Sequence, residues 1–397
     1  MTAANPVTAQ IGGWQRNALL AGIAGVLASI AGLLLDREQF LRSYLFAYLF
    51  WTGMGIGCLA ILLLHHTVGG KWGMLIRRMC EAGGRTLPFM IIFVVPVLLS
   101  IPTLYEWARP EAAHDPNIQA KAAYLNVPGF IGRAIFYFLV WTFYAYKLSS
   151  LSIKQDSTTA GRLIDSLNGR MRAISAPGLV VFTFVTTFAF IDWIMSLEPH
   201  WFSTIYGVMF LIGQVLEAFA FTITLVIVLS RPGGPLQEFV TKQHLHDLGN
   251  MMFAFMVLWA YLSFSQFLII WAGNLPAEIP WYLRRLHHGW GWVALTLVIF
   301  HFAAPFVLLL MRGVKRHADR LLQVCLMMLV VRVIDVDWIV APAFYGQKIT
   351  VHWLDFATLT AVGGLWLAMF FWQLKSRPLV PLKDPRLVGA PRETVAF

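Results

Sequence analysis

Charge is scarce in this chain: only 13% of its 397 residues are Asp, Glu, Lys or Arg, and 58% are hydrophobic. A soluble globular protein carries roughly 25% charged residues and needs them to cover its surface, so a soluble domain is excluded. With a mean hydropathy of +0.67, lipid must be the solvent. Cysteine is scarce as well. Cys58, Cys80 and Cys325 stand at no metal or redox spacing, which excludes a disulfide framework and a cysteine-ligated iron–sulfur cluster and leaves three small core hydrophobes. No glycine-rich phosphate loop follows a strand, and no nucleophile elbow occurs in a suitable context. Acidic residues number 20 against 30 basic ones, a net charge of +10. In a membrane chain such an excess marks topology, so no nucleic-acid partner is implied.

The chain is rich in apolar runs. A spanning helix needs about 20 apolar residues, and ten such stretches occur, at approximately 17–35, 43–66, 86–105, 130–153, 176–196, 203–229, 247–272, 287–311, 317–341 and 352–374. The first has only Arg16 as a positive flank and no small-residue cleavage pattern, so it reads as a retained helix rather than a removed signal. Basic residues alternate strongly between successive loops, twenty on one side against eight on the other. An even number of spans with that bias puts both termini in the cytoplasm. The segments Lys71–Arg85, Lys154–Arg172 and Arg312–Arg320 then read as orientation signals, with a lipid head-group or subunit contact as the alternative.

The expected fold is therefore an all-α integral membrane domain of ten transmembrane helices over residues 1–374, followed by a cytoplasmic tail at 375–397. An internal repeat is visible. Span 5 ends with Ile191-Asp192-Trp193-Ile194 and span 9 with Val336-Asp337-Trp338-Ile339, followed by Pro199 and Pro342 respectively. Four spans separate the two words, so spans 2–5 and 6–9, approximately 43–196 and 203–341, are expected to form two parallel four-helix bundles with spans 1 and 10 peripheral.

An ionisable side chain at mid-bilayer costs about 2.5–3.5 kcal/mol on insertion scales, so each one needs a partner, water or a function. Such groups concentrate at the periplasmic ends of the expected spans. Asp192, Glu198 and His200 surround the span 5–6 turn, Asp335 and Asp337 end span 9, His287 and His288 open span 8, and His352 and Asp355 open span 10. The 197–202 connection holds no Lys or Arg, so Glu198 and His200 must find partners elsewhere. This carboxylate and imidazole set suits proton acceptance, with helix capping or local pairing as the alternative. Arg332 and Asp335 stand i, i+3 and are expected to form a local ion pair. Asp192 has no basic neighbour in sequence and is the first candidate for proton handling. Glu217 and His301 lie midway along spans 6 and 8. Gln214 shares a helix face with Glu217, which suggests either a proton relay or an interhelical hydrogen bond.

At the cytoplasmic side, His65 and His66 end span 2, and His244, His246 and Asp247 begin span 7. Adjacent histidines point to different helix faces, so these read as solvated polar candidates rather than metal ligands. A transmembrane haem b needs two deep, facing histidines, and only His301 is that deep. The chain thus has no evident redox centre, and electrons, where transferred, must be carried by a partner.

Three passages resemble a known family. Leu41-Arg42-Ser43-Tyr44-Leu45-Phe46-Ala47-Tyr48, His65-His66-Thr67-Val68-Gly69-Gly70-Lys71-Trp72-Gly73 and the run from Ala260 to Pro276 look like the F subunit of bacterial alternative complex III, a quinol:cytochrome c (or other periplasmic acceptor) oxidoreductase. The resemblance covers about residues 35–375 and is most specific from Ala260 to Tyr282. It implies a polysulfide-reductase-type membrane anchor with no prosthetic group of its own, in the bacterial inner membrane. It also implies a homologous ten-helix subunit, an iron–sulfur subunit and c-type cytochrome subunits as partners, with a terminal oxidase as a further candidate. Quinone or menaquinone is the candidate ligand, bound by this chain or by the homologous subunit, with support of the quinol site or proton translocation as the role. The family's polar track would fall on Asp192, Glu198, His200, Glu217, Asp335 and Asp337. The competing expectation is a secondary transporter built from parallel repeats around Glu217 and His301.

Overall fold

The computed structural model describes residues 6–158, 160–287, 289–346, 348–381, 383–384 and 386, and the regular structure among them is helical. Ten long helices follow the ten apolar runs: α1 (Pro6–Leu35), α2 (Arg37–Val68), α3 (Arg77–Leu99), α4 (Val127–Asp156), α5 (Gly161–Trp193), α6 (Tyr206–Leu229), α7 (Lys242–Gly273), α8 (Trp290–Leu310), α9 (Ala318–Tyr345) and α10 (Trp353–Lys375). Among the described residues nine of these, all but α9, are long and apolar enough to cross a membrane. The protein is compatible with an all-α, multi-pass membrane protein. Helix α9 has the length, 28 residues, but Arg332, Asp335 and Asp337 interrupt its apolar run.

Helices begin and end on recognisable signals. Asp36 caps α2 by accepting the Gln39 N–H at 3.0 Å, and Gly69, at φ +77°, ends it in a conformation that suits glycine. Thr241 caps α7, and His352 with Asp355 closes a reciprocal box on α10. Helix α5 starts well before the expected residue 176, because its first four turns are polar but still bury Leu167 and Met171. Hydropathy senses the bilayer, not the end of the hydrogen-bond ladder. Helix α3 stops at Leu99 rather than 105. Pro102 lacks the N–H that would continue the ladder, which restarts in the short helix Ile101–Leu104.

Helices α2 and α6 are the most enclosed and pack on each other. Without a hydrophobic driving force in lipid, helices associate through small residues that let backbones approach. A Cβ on Gly57 would lie 2.1 Å from the Gln214 carbonyl oxygen, and one on Gly25 of α1 would lie 2.4 Å from the Ala361 nitrogen of α10. Around this centre α2 also meets α3, α5 and α10, α4 lies on α5, α6 meets α5, α7 and α9, and α8 lies between α7 and α9. The outer surface exposes Leu20, Leu27, Leu139, Phe184, Tyr261, Phe264 and Trp292, an apolar surface that a bilayer covers.

Candidate functional site

A cavity of about 690 Å³ lies between α6, α7, α8, α9 and the short helix Ile279–Leu286. Its walls are largely aromatic, including Phe210, Trp259, Trp281, Tyr282 and Trp338. Tyr261 and Phe264 line it too and are themselves exposed on the outer face of α7, so the cavity reaches the side of the helix bundle. Arg332 and Asp335 supply the only charged side chains of its lining among the described residues. Burial pushes the Tyr282 phenol above its ordinary pKa while Arg285 opposes that shift, so Tyr282 presents a neutral hydroxyl.

Behind the charged wall sits a buried polar group. Arg332 and Asp335 are hydrogen-bonded to each other as the i, i+3 spacing predicts. Arg332 Nε also lies 3.7 Å from Glu217 Oε2, and its guanidinium carbon stands 4.9 Å from the centre of the Phe210 ring. The Gln214 amide bridges the pair when its nitrogen donates to Glu217 Oε2 at 2.6 Å and its oxygen accepts from Arg332 Nη2 at 3.1 Å. Gln214 and Glu217 thus share a polar contact, as their spacing suggests. His301 Nδ1 is 3.8 Å from Asp335 Oδ2, and its ring lies tilted against Trp259, with centres 3.9 Å apart. Among the described residues Glu217 Oε1 and both His301 ring nitrogens are buried without a hydrogen-bond partner, an expensive state for polar atoms that draws attention to function.

Local structure explains how His301 reaches this point. Residues Val298–Ala303 form a π turn inside α8. Pro305 follows His301 by four residues, cannot donate to its carbonyl and would clash with it in a regular α-helix. The extra residue in the turn resolves that conflict, and such turns are frequent at functional sites. His301 followed by Pro305 was the available sequence signal for it.

Other expected site residues lie elsewhere. Asp192 is fully buried and takes two hydrogen bonds from Arg133 on α4, Nε to Oδ2 at 2.8 Å and Nη2 to Oδ1 at 2.9 Å. Tyr137 donates a third, to Oδ2 at 2.6 Å. The basic partner missing from the flanking sequence comes from a neighbouring helix. Glu198 finds partners likewise: Arg284 at 2.9 Å and Arg285 at 2.7 Å. Arg285 is itself wholly buried, with its guanidinium carbon 3.8 Å from the Trp281 ring centre. Through Trp281 and Trp338, whose Nε1 donates to the Arg285 carbonyl at 3.2 Å, this pair borders the cavity. His200 meets Asp115 at 3.2 Å, 85 residues away in sequence and apart from the cavity. Asp337 makes no hydrogen bond or ion pair among the described residues and does not line the cavity.

At the opposite end of the helices, His65 and His66 are buried, contrary to the expectation of solvated side chains. The chain folds back after Gly69 and lays Trp72 edge-on against His65 at 5.2 Å, while Gly73 leaves room for its ring. Asp247 is part-exposed and accepts from Gln243 at 2.7 Å. His288 lies outside the described residues. Among the described residues no three His, Cys, Asp or Glu side chains are grouped to hold a metal ion. Arg77, Arg78 and Glu81, read from sequence only as loop charge, form a buried network with Ser152, Gln155 and Asp384. No i, i+4 rule could have shown its long-range members.

No protein-family model and no curated protein matches the chain, so the chemistry of the site carries the functional reading. A flat, apolar molecule with a polar edge fits the cavity: the aromatic walls bury its body, Arg332 can donate to an oxygen, and Asp335 can accept a proton.

Proposed function

We propose that this chain is a membrane subunit of a respiratory quinol:acceptor oxidoreductase of the alternative complex III type, without a prosthetic group of its own, and that its cavity holds a quinol. The observation that carries this reading is the aromatic cavity at the side of α7, closed inside by the Arg332–Asp335 pair with Glu217 and His301 behind it. A quinol losing two electrons also loses two protons. The two electrons would go to haem c and iron–sulfur centres held by the proposed partner subunits. The two protons would leave by way of Asp335, one to His301 and one to Glu217, each of which has an acceptor atom without a hydrogen-bond partner among the described residues.

The same proposal includes ten spans, with α2–α5 and α6–α9 as two four-helix groups, a cytoplasmic tail and both termini in the cytoplasm. Part of the helix packing supports the grouping, since α4 meets α5 in one group and α8 meets α7 and α9 in the other, while the α2–α6 contact joins the two groups and α1 lies on α10. The twenty-to-eight loop charge supports the orientation. An apolar cavity beside exposed Tyr261 and Phe264 favours a membrane-dissolved ligand over the aqueous solute of a secondary transporter.

Purification of the tagged chain from its native membrane in mild detergent tests the proposal. Co-migrating c-type haem absorbance, iron–sulfur protein and quinol:acceptor activity are expected. A monodisperse chain without cytochrome absorbance would overturn it.

A further inference from the structure

A second site is built at the end of the helices that carries His65. Four guanidinium groups, Arg77, Arg78, Arg377 and Arg386, meet three carboxylates, Glu81, Asp156 and Asp384, and a fifth, Arg85, joins them through Ser149. The carboxylates are already engaged. Glu81 holds Arg77 at 3.2 Å and Arg78 at 2.6 Å, Asp156 holds Arg78, and Asp384 holds Arg77 at 3.2 Å and Arg386 at 2.7 Å.

Arg85 and Arg377 are left with little. Both donate to one neutral oxygen, Ser149 Oγ, at 3.4 and 2.5 Å. Among the described residues the carboxylate oxygen that Arg377 reaches is Glu81 Oε2, at 3.5 Å, and Arg85 Nε is buried with no hydrogen-bond partner. Burial first, then the neighbouring Arg85 and Arg78 cations, pull the Arg377 pKa below its ordinary value, against Glu81 and Asp156. Two cations converging on a neutral hydroxyl form half of an anion site.

The surroundings identify the anion. The Arg85 guanidinium carbon lies 4.7 Å from the ring centre of Tyr146. Tyr146 and Trp372 are exposed beside it, and Phe89 meets Trp372 edge-on at 6.2 Å. Aromatic rings around arginines at the end of an apolar helix bundle mark the level of lipid head groups. We propose that Arg85, Arg377 and Ser149 bind the phosphate of an anionic phospholipid whose acyl chains run along Tyr146, Phe89 and Trp372.

The test uses the full chain, delipidated in neutral detergent, with phosphatidylglycerol, phosphatidylcholine and inorganic phosphate as probes, read by native mass spectrometry and by the unfolding midpoint. Phosphatidylglycerol is expected to be retained about tenfold more tightly than phosphatidylcholine. The Arg85→Gln/Arg377→Gln pair should abolish that preference, and the Arg85→Lys/Arg377→Lys pair should keep most of it. Removing two exposed charges elsewhere, with Arg162→Gln/Arg170→Gln, should change nothing. Equal retention of the two lipids by the unaltered chain would overturn the proposal even where the glutamine pair does not fold. An equal rise in midpoint with inorganic phosphate alone would also overturn it, since a free anion would then suffice.

Discussion

A Cβ placed on Gly213 would sit 2.5 Å from the guanidinium carbon of Arg332. The missing side chain on α6 is therefore what admits the α9 cation to the interior, where it reaches Glu217, Gln214 and Asp335 together. The cavity's charged wall depends on a helix–helix contact rather than on α9 alone.

Gly213→Ala should displace Arg332 from its partners. Overpacking of this kind costs about 1–3 kcal/mol, and most of that should vanish when Arg332 is already replaced. A double-mutant cycle of Gly213→Ala with Arg332→Met, read by unfolding in detergent, should show a coupling of about 0.5–3 kcal/mol. Additive effects would mean that the two residues do not share this site.

Burial separates two arginines that the loop-charge count treats alike. The Arg133 and Asp192 side chains are 23% and 0% exposed, whereas those of Arg284 and Glu198 are 48% and 9% exposed. Arg133→Ala leaves a buried carboxylate with only the neutral Tyr137 and Tyr124 hydroxyls beside it among the described residues and should cost about 3 kcal/mol. Arg284→Ala leaves Glu198 held by Arg285 and should cost under about 1 kcal/mol. Thermal unfolding of the two variants side by side checks the order, and equal losses would contradict it.

These pairs also mark how far the sequence is legible. Arg332 with Asp335 and Gln214 with Glu217 could be read in advance, because helical spacing alone places them together. Asp192 with Arg133 and Glu198 with Arg285 could not, because the partners are 59 and 87 residues apart and only helix packing joins them. The apolar runs located the long helices, since the bilayer sets a minimum length of apolar chain. They missed the polar start of α5, which needs no lipid. The burial of His65 is hidden for a similar reason: it comes from Trp72 and Gly73 folding back, a tertiary event with no periodic signal. The cavity residues Trp259, Tyr282 and Trp338 look in sequence like any other aromatic residue of an apolar helix.

Pro305 offers a test of the π turn. Pro305→Ala restores an N–H and removes the clash with the His301 carbonyl, so the helix can recover its α register and carry His301 away from Trp259 and Asp335. Stability should hold or rise, because the π turn gives up regular hydrogen bonding. Under the proposed function, quinol turnover of the intact complex should fall at least about tenfold, the low end of what general acid–base groups contribute. Unchanged turnover would make the turn incidental.

The two acids at the end of α9 separate proton acceptance from mere polarity. Asp335→Asn preserves the size of the side chain and an oxygen for Arg332 but removes the ability to take a proton. Asp337→Asn makes the same chemical change two residues on, outside the cavity lining. Asp335 stands between the Arg332 guanidinium and His301, so its replacement removes the first station of the path and leaves the cation with Glu217, 3.7 Å away, as its remaining acid among the described residues. Quinol turnover should drop about 10²–10⁴-fold in Asp335→Asn and stay within about twofold in Asp337→Asn, with ligand affinity changing less than turnover in the first. Comparable losses in both variants would show that charge at the end of α9 acts on stability or assembly. Full activity in Asp335→Asn would remove the cavity's carboxylate from the reaction.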